Sequence, residues 1–132
     1  REAVSRLFGY ANKHEMSFMS WGTLDKGILT KPLDEKKKYD KSDCRSWAPW
    51  WKQADNTYKY ESLKKIFPML EDYGHSPLEL ALGYNLSHEE VSLVLCGAKS
   101  IKQLEELLLA MNHLPSQDLI DESLSLIIEP QK

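Results

Sequence analysis

An α/β fold with a parallel sheet is what this chain predicts, and three observations lead there. Two short apolar runs, MSFMSW at 16–21 and VSLVLC at 91–96, have the length of buried strands. Segments with helical spacing of apolar residues flank both runs, the alternation expected of strand–helix units. Glycine closes each run, at Gly22 and Gly97. Two strands leave open edges that a sheet cannot sustain alone. The expected parent is a barrel of eight strand–helix units, of about 250 residues. This chain, with 132 residues, is an incomplete part of such a barrel and not a stand-alone one.

The elements follow in order. Ala3, Val4, Leu7, Phe8 and Ala11 predict a helix over 2–14, before the first strand. From Gly22 to about Asn56 the chain holds glycines, prolines, a lysine run and a Trp-rich patch, a long irregular loop of the kind that carries function. Leu63, Ile66, Phe67 and Leu70 mark a helix over 58–73, with Pro68 inside it and Gly74 as its stop. Ser76, Pro77 and Glu79 form a capping signature for a helix reaching Leu86. After the second strand, Ser100 caps a helix whose predicted apolar face is Ile101, Leu104, Leu107, Leu108 and Met111. Ser116 starts the last helix.

Composition excludes several classes of partner. Seventeen basic against twenty acidic residues and a net charge of -3 give no basis for nucleic acid or an anionic membrane. No apolar stretch reaches the roughly 20 residues of a membrane span, and no signal peptide is visible, so the expected location is cytoplasmic. The chain opens on Arg1 and not on methionine, and residue 1 is read as lying inside a longer product. Cys44 and Cys96 are read as free thiols, Cys96 as a small apolar side chain with a reactive thiolate as the alternative. His14, His75, His88 and His113 lack paired ligand spacing, and no metal site is expected. Asp25 and Asp43 read as loop or capping groups.

The junction VSLVLCGAKSIKQLEE carries the functional signal. Backbone amides at a helix start lack partners, and the helix dipole is positive there. Gly97 allows close backbone approach and Lys99 adds a cation, a combination that suits phosphate. SWGTLDKGILT at 20–30 repeats the arrangement, with Lys26 beside Gly27. Both loops follow strand C-termini, the ligand-bearing side of parallel α/β folds.

Those two segments resemble the aldo-keto reductases. SWGTLDKGILT is similar to the family's loop after the seventh strand, Ser-Pro-Leu-x-x-Gly-x-Leu-Thr-Gly-Lys. LCGAKSIKQLEEL is similar to its eighth-strand segment, Gly-Ala-x-x-x-x-Gln-Leu-x-Glu-Asn. SPLELALGYNLSHEEVSLVLCGA resembles the helix and strand between them. The resemblance covers most of the chain, in order. It implies the C-terminal portion of a (β/α)8 TIM barrel, strands seven and eight with their helices, with residues 1–132 as one partial domain. It also implies an NAD(P)H-dependent reductase of aldehydes and ketones. Trp21 falls where an aromatic stacks on nicotinamide. Leu24, Lys26 and Gly27 fall on the pyrophosphate loop, and Lys31 and Arg45 match basic residues of the flap over the cofactor. Gly97, Lys99, Gln103 and Glu106 match the adenosine pocket, where Lys99 would meet a 2′-phosphate; that favours NADPH over NADH. Trp47, Trp50 and Trp51 are substrate-side candidates or a satellite core.

Three departures stand out. Thr23 replaces the family's proline, the glycine expected between Thr30 and Lys31 is absent, and Leu107 replaces an asparagine that usually bonds adenine. The aspartate, tyrosine, lysine and histidine of the family's chemistry belong to the first four strands. The chain alone is therefore expected to be inactive, with no catalytic residues of its own, and to need the missing N-terminal barrel half, in cis or as another chain. The alternative is a non-catalytic binding or regulatory protein on the same fold, like the potassium-channel β subunits, or an inactive truncated fragment.

Overall fold

The computed structural model describes residues 4–30 and 36–129. A π-helical turn at Val4–Phe8 leads into α1 (Gly9–Lys13), then β1 (Phe18–Ser20). Two 3-10 turns, Asp25–Thr30 and Cys44–Ser46, and the short α2 (Pro49–Lys52) punctuate the long loop. Then come α3 (Thr57–Asp72), α4 (Pro77–Leu86), β2 (Val91–Val94), α5 (Ile101–Met111) and α6 (Gln117–Ser125).

Local chemistry sets the helix boundaries. Gly74, two residues past the end of α3, takes a φ of 74°, a left-handed conformation that glycine adopts at little cost. The α4 cap is a complete capping box: the Ser76 hydroxyl accepts from the Glu79 N–H, and the Glu79 carboxylate accepts from the Ser76 N–H. Ser100 and Ser116 accept from the N–H groups of Gln103 and Leu119 at the starts of α5 and α6. Such caps contribute about 1 kcal/mol each.

The strands pair in parallel, Phe18 opposite Val91, Met19 opposite Leu93 and Ser20 opposite Val94, with an irregularity between Phe18 and Met19. The ladder continues at its tip, where the Leu95 N–H donates to the Ser20 carbonyl at 2.9 Å. An aromatic cluster fixes the opposite end: Phe8 lies 4.9 Å from Phe18 and 5.3 Å from His88, which meets Tyr84 edge-on. Two cores result. Ile28, Leu63, Ile66, Leu70 and Leu119 tie the post-β1 loop to α3 and α6. Leu82, Leu107 and Ala110 join α4 to α5, with Leu24, Val94 and Cys96 packed against them.

The expected apolar face of α5 is corrected. Leu107 and Ala110 are buried, whereas Ile101, Leu104, Leu108 and Met111 are exposed. The strands are also less buried than expected, with Met19, Leu93 and Leu95 exposed. A parallel strand is buried on both faces only when layers cover both sides of its sheet. Among the described residues, the sheet has two strands and these side chains meet no such cover.

Candidate functional site

Both predicted anion loops lie at the same end of the sheet, beyond Ser20 and beyond Val94. The first is tightly wound. Asp25, Lys26 and Gly27 have φ of 40°, 57° and 92°, so two non-glycine residues occupy left-handed backbone, at roughly 1–3 kcal/mol each. Several contacts hold them there. The Asp25 N–H donates to Gly22 O and the Gly27 N–H to Leu24 O, both at 2.8 Å. The Asp25 carboxylate pairs with Lys59 of α3 at 2.6 Å. The Lys26 carbonyl accepts from Arg45 Nη1 at 2.6 Å.

Arg45 links this loop to the second one. Its guanidinium forks onto Asp43, Nε to Oδ1 at 2.9 Å and Nη2 to Oδ2 at 2.6 Å, and lies 4.1 Å over the Tyr39 ring. Asp43 also caps its own 3-10 turn by accepting from the Arg45 N–H at 3.0 Å. The side-chain hydrogen bond from Arg45, followed by that backbone bond, holds the Asp43 carboxyl far below the ordinary carboxylate range; the same pair raises Arg45. Lys99 Nζ approaches Asp43 Oδ2 at 3.5 Å. The Lys26 carbonyl, Arg45, Asp43 and Lys99 therefore form one cluster, in which two cations, Arg45 and Lys99, meet one carboxylate.

Magnitudes separate their roles. The Arg45–Asp43 fork is bidentate and sheltered, with side chains 19% and 15% exposed, so it fixes the loop. The Lys99 side chain is 77% exposed, and a pair of that kind contributes about 0–1 kcal/mol. An arriving anion can displace it. The excess positive charge, the wound backbone and the exposed ammonium fit a phosphate-bearing ligand. Gly27 serves the same assembly: a Cβ there would sit 2.9 Å from Arg45 Nη1.

The remaining predicted residues sort by environment. Trp21 follows β1 with 85% of its surface exposed, an open indole face. Leu24 packs against the Leu82–Leu107–Ala110 core. Gly97 meets nothing within 4 Å of an added Cβ. Gln103 Oε1 accepts from the Lys99 N–H at 2.7 Å, anchoring the backbone beneath that lysine. Glu106 is exposed on the second turn of α5, and Lys31 lies outside the described residues. Trp47 and Trp50 are exposed, Trp50 under Lys26 Nζ at 5.0 Å, while Trp51 packs against the Ile28–Leu63 core. Cys96 is half-buried against the Leu82–Leu107–Ala110 core, and burial pushes its thiol up.

A family-wide sequence profile described as "Aldo/keto reductase family" matches residues 1–126. The chain belongs to the aldo/keto reductase family. It is 36% identical over 87 residues to L-galactose dehydrogenase of Arabidopsis thaliana, which covers 64% of this chain and 27% of that protein. It is 24% identical over 108 residues to aldo-keto reductase YhdN of Bacillus subtilis, covering 81% of this chain and 33% of that one. The solved glycerol dehydrogenase AKR11B4 from Gluconobacter oxydans shares the fold, with a TM-score of 0.74 at 20% identity over 100% of this chain and 41% of its own. The chain thus spans about a quarter to a third of the length of these curated relatives.

Within this aldo/keto reductase chain, other features escaped sequence reasoning. A cavity of about 670 Å³ lies among the post-β1 loop, α3, α4 and α6, with Trp21 on its lining beside Ile28, Tyr58, Leu63 and Tyr84. Its walls are mostly apolar. Asp43 is the hub of that cluster, a role its local spacing to Arg45 hinted at. Tyr39 under Arg45 and Lys59 under Asp25 left no local signal. Lys37 and Lys38, from the lysine run, border a basic hollow beside Arg45. Among the described residues, no helix is long and apolar enough to cross a membrane.

Proposed function

We propose that this chain is the cofactor-gripping C-terminal portion, strands seven and eight with their helices, of an NAD(P)H-dependent oxidoreductase that reduces aldehydes or ketones. The observation that carries the reading is the Asp43–Arg45 bridge, which ties the Lys26 loop and Lys99 into one positively charged rim. Family membership and the dehydrogenases and reductases among the relatives support the class of chemistry.

In this reading a nicotinamide cofactor supplies the hydride, and the chain's residues bind and orient it. Trp21 offers a flat face for the nicotinamide ring. Lys26 and the Gly27 turn lie against the pyrophosphate, with Arg45 holding the turn in shape. Gly97, Lys99, Gln103 and Glu106 surround the adenosine end, Lys99 opposite a 2′-phosphate, so the preferred cofactor is NADPH. Leu107 is buried in the core and contributes no adenine hydrogen bond. Trp47 and Trp50 flank the substrate approach. The proton-transfer groups belong to the N-terminal barrel half, so the 132-residue piece by itself reduces nothing and requires that half, in cis or as another chain.

The test is Lys99→Met in the full-length protein. Loss of one charge-assisted contact weakens NADPH binding about 10-fold and leaves NADH binding unchanged. An unchanged NADPH/NADH affinity ratio refutes the assignment.

A further inference from the structure

The fold brings together three side chains whose sequence spacing gave no hint of a site. His75 follows α3, Glu79 lies in the first turn of α4, and His113 lies between α5 and α6. His75 Nδ1 is 2.9 Å from Glu79 Oε2, and His113 Nδ1 is 3.3 Å from the same oxygen, across 34 residues of sequence. The two imidazoles stack with centroids 4.4 Å apart. All three ligand atoms lie within 4.8 Å of one another.

We propose that His75, Glu79 and His113 form a binding site for a zinc-like divalent cation that staples the start of α4 to the α5–α6 turn. Several observations support it independently of the cofactor reading. Zinc takes imidazole nitrogen and carboxylate oxygen at about 2.0–2.2 Å, which places neighbouring ligand atoms of a tetrahedral shell about 3.3 Å apart. The two nitrogen–oxygen separations are close to that spacing. Two nitrogen donors select zinc, cobalt, nickel or copper over the oxygen-preferring magnesium and calcium.

The carboxylate is already oriented. Its Oε2 accepts from the Ser76 N–H at 3.0 Å, the type of outer bond that aims a metal ligand. His75 and Glu79 side chains are sheltered, while His113 is 61% exposed, giving an ion a way in. The dipole at the start of α4 opposes a cation, and the Glu79 charge sits directly on that helix start to offset it. On binding, each Nδ1 turns its lone pair to the ion and releases any proton to solvent. Three protein ligands leave one position for water.

The test uses the full chain stripped with chelator and titrated with Zn²⁺ alone by calorimetry, and with Co²⁺ for its absorption bands. The expected result is one ion per chain, a Co²⁺ spectrum without thiolate charge transfer, and a Tm rise of roughly 10 °C at a hundredfold excess over Kd. His113→Gln, at an exposed position, should keep the metal-free Tm and weaken Zn²⁺ binding at least about 10-fold. His75→Gln, at a sheltered position, should weaken Zn²⁺ binding to a similar degree and is the second variant. Equal Zn²⁺ affinity in H113Q and the parent, a thiolate–cobalt band, or no Tm rise with Zn²⁺ overturns the proposal.

Discussion

Asp43 organises the cationic rim through its own carboxylate, and removing it has two separable consequences. Asp43→Ala breaks a sheltered fork and a turn cap, with an expected loss of about 1–2 kcal/mol, read as a lower urea midpoint and faster amide exchange across 39–48. Because the folded carboxyl is held below its unfolded value of 3.8, its stabilisation is complete well above that value and fades progressively as pH falls from there through the folded one. Amide protection in this loop should therefore persist at about pH 3 in the parent, and persistence in D43A as well would contradict the role. Gly27→Ala meets two costs at once, a φ of 92° and the 2.9 Å approach to Arg45 Nη1. It should destabilise by about 1–3 kcal/mol, measurable by denaturant titration, and detach Arg45 from the Lys26 carbonyl.

At the scale of elements, the helices divide by how they are held. α4 is capped on both partners of its capping box and buries Ala81, Leu82 and Gly83. Ser76→Ala should cost about 1 kcal/mol, because the Glu79 N–H loses its hydroxyl acceptor. α3 is held by its buried stripe, in which Ile66 and Leu70 are almost wholly inaccessible. Leu70→Ala is expected to cost about 2–5 kcal/mol, and a loss under 1 kcal/mol in thermal unfolding would mean that this core does not close as described. These boundaries were legible because caps and stops act within a few residues: Ser76, Ser100, Ser116 and Gly74 all stand where the sequence put them. The apolar face of α5 was legible as a pattern, and its burial was not, because burial needs an opposing surface.

Across the whole molecule, the exposed side chains are as informative as the buried ones. Leu104, Leu108 and Met111 on α5, with Met19 and Leu93 on the strands and Leu95 just past β2, leave apolar surface open to water. Such surface marks an interaction site or an association hazard. The isolated 132-residue chain should bind a hydrophobic dye and associate at raised concentration. Leu108→Lys should reduce both in the isolated chain, as read by fluorescence and light scattering, and no change would mean that this stripe is not the sticky surface. The Asp25–Thr30 turn and the inward packing of Trp51 were not readable, because they depend on neighbours from α3.

The sequence by itself determined the class of fold, the order of elements, the caps, and the family, since each depends on short-range pattern or on motifs that survive in linear order. Only the tertiary structure decided that Arg45 reaches Lys26 while its partner Asp43 meets Lys99, and that His75 and His113 converge on Glu79. Hydrogen bonds and ion contacts fall off within a few ångströms, and the distance between residues far apart in a chain is set by packing of whole elements, which no local spacing encodes.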